Sequence, residues 1–308
     1  FVNSFDYNNF YSPSNFLARY DGSFYYDLDF VKRYSGTNAH SLSVYPHYIS
    51  ETDLHTIAPW LDNKGLPLDS VSVDINGDIR DLLHPDIGAD EFTADPTLTT
   101  PLHGTITIGS GGDYTNIQDA FDDALLKGVS DAVTFNILPG TYHEQISITS
   151  IPGTSPINNI TIRSQTGDTS DVEITYTASD QNNNYVIRFY GADFINLENL
   201  KLTANGSTYA RVIDFYLGAD SIALRNNSFS SVYNTNASVD RAIIYSPDAY
   251  YFSRIIENNV FYACSYGIYM RAVQNNVPYP LGAVIHNNQL INCSYAGMYI
   301  QFYDAPHI

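Results

Sequence analysis

An Asn-Asn pair set between alternating apolar residues recurs through the second half of the chain and narrows the architectures open to it. Leu224-Arg225-Asn226-Asn227-Ser228-Phe229 returns as Ile256-Glu257-Asn258-Asn259-Val260-Phe261 and then as Ile285-His286-Asn287-Asn288-Gln289-Leu290. Leu197-Glu198-Asn199-Leu200-Lys201-Leu202 is a weaker earlier copy. Asn199, Asn226, Asn258 and Asn287 are 27, 32 and 29 residues apart. A period of about 20 to 50 residues is the signature of a solenoid, propeller or array, in which each repeat buries its apolar face only against its neighbours.

The repeat carries no helical apolar spacing. Each copy reads as a short alternating strand, an Asn pair, a second short strand and a loop of variable length. That pattern predicts an all-β right-handed parallel β-helix whose coils stack at about 4.8 Å. Asn suits the corner because it tolerates left-handed backbone angles and bonds its own backbone, and stacked side-chain amides form ladders. The cysteines share the register, Cys264 lying three residues after Phe261 and Cys293 three after Leu290. They are therefore expected on neighbouring coils as an inward stack of reduced thiols, with a disulfide as the alternative. The same alignment sets Val186-Ile187-Arg188-Phe189-Tyr190 over Val212-Ile213-Asp214-Phe215-Tyr216, so Arg188 and Asp214 are expected to pair across coils.

Charge excludes some partners. With 14 Lys and Arg against 33 Asp and Glu, the formal charge is -19. No basic cluster is present to neutralise phosphates, which argues against nucleic acid and against an anionic lipid surface. No run of about 18 apolar residues is present, so no membrane insertion is expected. Low charge density and abundant Tyr, Asn, Ser and Thr read as extracellular. Both ends fall within a repeat, so the chain reads as a segment of a longer protein.

Two units are expected. Residues 1–92 are rich in Tyr and Phe and end in Asp86-Ile87-Gly88-Ala89-Asp90-Glu91-Phe92; residues 93–102 form a Thr/Pro linker; residues 103–308 form the second unit. The latter opens with the alternating stretch Thr105-Ile106-Thr107-Ile108 and a Gly-rich turn. An amphipathic helix follows, with Ile117, Ala120, Phe121, Ala124 and Leu125 on one face. Thr115 and Gln118 stand at capping-box spacing, and Gly128 is placed to end the helix. Such a helix is expected to cover the open end of the solenoid, where strand edges are unpaired.

Gly112 to Ala120 and Pro139 to Glu144 (Pro-Gly-Thr-Tyr-His-Glu) resemble the opening of pectin-esterase and pectate-lyase-like β-helices. Residues 1–92 resemble the closing segment of β-helix modules in large secreted proteins of Bacteroidota. That likeness rests on Asp6-Tyr7-Asn8-Asn9, Asp53-Leu54-His55, Asp74-Ile75-Asn76-Gly77-Asp78-Ile79-Arg80 and Pro85 to Phe92. The resemblance implies two tandem β-helix modules, the first truncated to its C-terminal end and the second to its N-terminal part. It also implies export to the cell surface, by the type IX route, with other modules of the chain and secretion machinery as partners.

The catalytic residues of the esterases do not carry over. The resemblance implies a Gln, a Gln-Asp pair, a second Asp and an Arg beside a Trp. Here the matching coils read Phe229-Ser230-Ser231-Val232-Tyr233 and Phe261-Tyr262-Ala263-Cys264-Ser265, without a carboxylate, and the single Trp60 lies in the other unit. An esterase of this type needs one Asp as nucleophile and another as acid/base, yet Asp214, Asp220 and Asp248 share no place in the repeat. A lyase would need a base beside acidic calcium ligands; Arg188, Asp214, Arg225, Arg241, Arg254 and Arg271 are the groups near the strands. Asp74, Asn76 and Asp78 alternate like part of a calcium loop, although a structural turn is the preferred reading, with Arg80 reaching Asp86, Asp90 or Glu91. No catalytic residue, metal ligand or cofactor is therefore assigned, calcium remaining the alternative.

The expected contact surface is aromatic: Tyr190, Tyr216, Tyr245, Tyr269 and Tyr299 recur along the coils and are candidates to stack on a polysaccharide or cell-surface glycan. Asn199, Asn226, Asn258, Asn287, Cys264 and Cys293 are assigned structural roles. The sequence thus reads as a non-catalytic adhesin, stalk or glycan-contacting scaffold. A polysaccharide lyase-like enzyme and a filament or envelope component are the alternatives.

Overall fold

A computed structural model describes residues 5–12, 17–20, 23–25, 28–216, 219–249, 253–272 and 282–301. The chain divides into two units, one of residues 1–101 with 123–128 and one of 102–122 with 129–308.

The second unit is a parallel β-solenoid of about 6 turns, of the right-handed type that parallel crossovers favour. Each turn contributes a strand to each of three faces. Coil 1 is Val129–Ile137, Gly140–Tyr142 and Ile146–Thr149. Coil 2 is Ile160–Ser164, Val172–Tyr176 and Ile187–Tyr190. Coil 3 is Ile195–Glu198, Lys201–Ala204 and Ile213–Tyr216. Coil 4 is Ile222–Arg225, Ser228–Ser230 and Ala242–Ala249. In coils 5 and 6 the second and third strands merge, giving Arg254–Glu257 with Val260–Ala272 and Val284–His286 with Gln289–Gln301. The first face gains one more strand, Leu102–Ile108, parallel to Val129–Ile137.

Alternation explains why these segments are strands. Ile187, Phe189, Ile195, Leu197, Leu202 and Phe229 point inward and are fully buried, while the residues between them face out. Successive coils place like on like: Leu197 pairs with Leu224, Leu224 with Ile256, and Phe229 with Phe261. Each such side chain contributes roughly 1.5–3 kcal/mol by leaving water.

The Asn pair divides into two roles. The first residue of each pair is the corner: Asn199, Asn226, Asn258 and Asn287 have φ of 55°, 55°, 57° and 55°. The second forms the ladder. Asn259 Oδ1 accepts the Asn227 N–H and Nδ2–H at 2.9 and 3.1 Å, and Asn288 Oδ1 accepts the same two groups of Asn259 at 3.0 Å each. Asn227, Asn259 and Asn288 also donate to Leu197, Leu224 and Ile256 carbonyls of the coil before. Leu200 stands where the ladder would begin and, having no side-chain amide, joins it only through its backbone N–H, which Asn227 Oδ1 accepts. The four corner residues supply the left-handed backbone shape; the amide ladder belongs to Asn227, Asn259 and Asn288.

The helix expected in this region is Ile117–Lys127, and Gly128, with φ of 71°, ends it by donating its N–H to the Ala124 carbonyl. Its N-terminus departs from expectation. Glu144 accepts the N–H groups of Ile117 and Gln118 at 2.9–3.1 Å. Gln118 instead bonds Ser147, whose N–H it accepts at 2.8 Å. A carboxylate is favoured at this end of a helix because it meets unsatisfied N–H groups and the positive end of the dipole. No local capping box forms around Thr115 and Gln118.

Among the described residues the first unit holds two small antiparallel pairs, Ala18–Tyr20 with Ser23–Tyr25 and Tyr48–Ser50 with Asp53–Thr56, and the helix Leu28–Ser35, for which the sequence carried no expectation. Val44, Ala58, Leu61 and Ile87 form its core, with Trp60 and Phe92 against it. The Asp6 to Phe10 corner is offset by one from the solenoid's: Tyr7 takes the left-handed place at φ 55°, and Asn8 accepts a Leu42 N–H. Ala94 is buried and donates to Asp62, and the first solenoid strand opens at Leu102, so the Thr/Pro stretch is partly packed.

Candidate functional site

The third face carries Arg188, Asp214 and the five tyrosines singled out from sequence. Its strands set Ser147, Arg188, Asp214, Tyr245, Tyr269 and Tyr299 in one column of successive coils. Two residues further on, Thr149, Tyr190 and Tyr216 form a second column. The five candidate tyrosines therefore share a face but not a row. Tyr190 stacks on Tyr216 at 5.3 Å between centroids; Tyr245 stacks on Tyr269 at 5.5 Å and Tyr269 on Tyr299 at 4.9 Å.

Interplanar angles of 26°, 24° and 8° mean that these rings lie face to face. The faces between them are occupied by one another, so solvent meets ring edges and phenol groups. A sugar laid along the coils would bond hydroxyls more readily than it would stack on rings. Tyr262 is exposed on the second face instead, beside Ser230. Tyr250, Tyr251, Tyr279 and Tyr303 lie outside the described residues.

Asp214 is the buried acid of this face, 2% exposed. Arg188 reaches it with Nε at 2.8 Å and Nη2 at 2.7 Å, and also donates to the Asn182 carbonyl. The expected cross-coil pair is thus present, in register. Burial pushes the Asp214 carboxyl above its ordinary range, while Arg188 and Arg211 pull it back down. Arg188 lies 4.0 Å from the Tyr185 ring centroid and Arg211 3.6 Å from that of Tyr245, both cation–π distances. Arg211 is itself held by Asp240 at 2.8 Å. Basic, acidic and aromatic groups alternate here, and each charge has an opposite neighbour.

A second column of charge runs along the first face just before the corners. Arg163, Glu198, Arg225, Glu257 and His286 stack in register. Arg225 meets Glu257 at 2.6 Å and Glu198 at 3.7 Å, and His286 meets Glu257 at 2.8 Å. On the second face Lys201 meets Glu173 at 3.1 Å.

Arg254 was read from sequence as a basic group near the strands. It instead takes the inward position of Ile222 one coil earlier and is 2% exposed. Its guanidinium donates to the Ala219 carbonyl at 2.7 and 3.2 Å and to Ser246 Oγ at 2.8 Å, 3.9 Å from the Phe215 centroid. Burial lowers its pKa to about 10, with Asp220 and Asp193 opposing that fall.

In the first unit, Asp74 Oδ1 accepts the Asn76 and Asp78 N–H groups, and Oδ2 accepts that of Glu91. Arg80 pairs with Glu91 at 3.3 Å and donates to the Gly88 and Asp86 carbonyls. The alternating acids therefore shape a turn. Among the described residues no three His, Cys, Asp or Glu side chains gather as a metal site.

No family model matches the chain, and no curated protein does. Solved structures of the pectin methylesterase from Aspergillus niger resemble part of it. Against the penultimately deglycosylated form the identity is 17% and the TM-score 0.37, over 67% of this chain and 83% of that one. Against the deglycosylated form they are 15% and 0.35, over 68% and 93%.

Proposed function

We propose that the chain is a non-catalytic segment of a large secreted or cell-surface protein, acting as an adhesin, stalk or glycan-contacting scaffold. The observation that carries this reading is the pairing of strand-borne acids with bases across coils: Asp214 with Arg188, Glu257 with Arg225, and Glu173 with Lys201. An esterase of the type that the opening coils resemble uses one carboxylate as nucleophile and a second as acid/base, whereas these pairs bind coil to coil. The helix Ile117–Lys127 closes the solenoid's first end in this reading, and residues 1–92 close a preceding module. The phenol edges of Tyr245, Tyr269 and Tyr299 are the surface offered to a glycan.

One observation favours a second reading, a polysaccharide lyase-like enzyme: Asp214, with its raised pKa, lies beside Arg188 on an aromatic face. A single assay separates the two. The protein is incubated with methyl-esterified pectin, polygalacturonate and alginate, with and without calcium, following methanol release and unsaturated-product absorbance. The scaffold reading expects neither signal. Cleavage or de-esterification that Asp214→Ala abolishes would overturn it.

A further inference from the structure

We propose that Cys264 and Cys293 form a redox staple, in which a peroxide-class oxidant joins them in one disulfide that ties coil 5 to coil 6. The two residues are direct partners in the parallel ladder, with Sγ atoms 2.8 Å apart. Adjacent strands lie about 4.8 Å apart, inside the roughly 4.4–6.8 Å Cα separation that a disulfide spans. The backbone aims both side chains alike, because each cysteine follows a left-handed residue: Ala263 at φ 53° and Asn292 at φ 56°. Ala at such an angle costs about 1–2 kcal/mol, so stacking holds this corner in shape.

The thiols differ in surroundings. Cys264 is fully buried, while Cys293 is only half-buried. The Gly267 N–H points at the Cys293 sulfur, and a Cβ on Gly267 would come within 3.3 Å of that sulfur. Hydrogen bonding from Cys264 holds the Cys293 thiol low, and the same contact with burial pushes Cys264 up. Cys293 is the thiol that an oxidant can reach, being half-buried beside the Gly267 N–H while Cys264 is fully buried, and it is therefore the attacking sulfur.

The chemistry balances in two steps. The Cys293 thiolate attacks a peroxide oxygen; an S–O bond forms, the O–O bond breaks, and the leaving hydroxide takes a proton. The Cys264 sulfur then attacks the Cys293 sulfenic acid. An S–S bond forms, the S–O bond breaks, and the oxygen leaves as water with the Cys264 proton. Two thiols are oxidised and one hydrogen peroxide is reduced to two waters.

The test uses the whole chain, whose cysteine count of 2 makes every thiol assignable. Reduced protein is treated with hydrogen peroxide, denatured and alkylated, and its intact mass is read. Both alkylation sites should disappear together in a monomer lighter by two hydrogens, and a reductant should restore them. Cys264→Ser should leave a sulfenic acid that dimedone traps at Cys293. Cys293→Ser should leave Cys264 unreactive until the protein is unfolded. Thiols that both survive peroxide, a disulfide that joins two chains, or undiminished oxidation of Cys264 in Cys293→Ser would each overturn the proposal. The wild-type arm needs no substitution, so a variant that fails to fold does not blunt it.

Discussion

Asn258 and Asn259 are the same residue type at adjacent positions, and the structure asks unlike things of them. Asn258 supplies a left-handed angle and is exposed, whereas Asn259 is fully buried with its amide bonded to the coils on either side. Loss of the Asn259 side chain strands the Asn227 N–H and the Leu224 carbonyl in the interior, each unmet group costing about 1–3 kcal/mol. Asn259→Ala is therefore expected to destabilise by roughly 3 kcal/mol or more in denaturant unfolding, and Asn258→Ala by about 1–2 kcal/mol from backbone strain. Equal losses would refute the division of roles. The repeat made the pair visible in the sequence. Which member faced inward was not legible, because both are Asn and a corner breaks the two-residue alternation. Arg254 hid in the same way: only the stacked register shows that it occupies an isoleucine column, with carbonyl and hydroxyl partners from other coils replacing water.

At the scale of elements, local signals were legible and long-range ones were not. The helix from Ile117 shows in its apolar spacing, and Gly128 marks its end. Its N-terminal partner, Glu144, is 27 residues from Ile117, beyond any local capping motif. The closing segment of the first unit shows the same limit. Asp86 is 4% exposed, and its carboxylate accepts the Asn63 and Phe92 N–H groups at 2.6 Å each. Burial raises its pKa from 3.8 to about 6, against the pull of those two bonds. Between these values the folded state binds the extra proton, so this group's contribution is fully present below pH 3.8 and lost as pH rises through about 6. Asp74 and Asp81 are held below their ordinary range by backbone N–H groups and act in the opposite sense. The clean readout is therefore a difference: across that window Asp86→Asn should gain thermal stability relative to the parent as pH rises. A difference that stays flat would mean that Asp86 does not titrate there.

The second unit behaves largely as a one-dimensional stack, since among the described residues each coil's strands pair with those of the coils above and below it. Such a molecule should survive removal of one repeat, provided that the register is kept. Gly191-Ala192-Asp193 returns as Gly218-Ala219-Asp220, so a chain lacking residues 196–222 still offers an Ala carbonyl and an Asp where Arg254 needs them. Ile195 would then be followed by Ala223 and Leu224, with Leu224 pointing inward as in the parent. Tyr245 would come to stand beside Arg188, which loses Asp214, and Arg225 would lie over Arg163. Those lost and like-charged contacts should lower the unfolding midpoint by about 5–10 °C, with a β-sheet circular dichroism spectrum and a monodisperse product retained. Removing residues 196–221 instead leaves one residue more, which turns Ile222 and Leu224 outward and Ala223 inward. That variant should fail to fold or aggregate. If both deletions fail alike, the coils are not interchangeable units, and the stability of the stack depends on side chains particular to each turn.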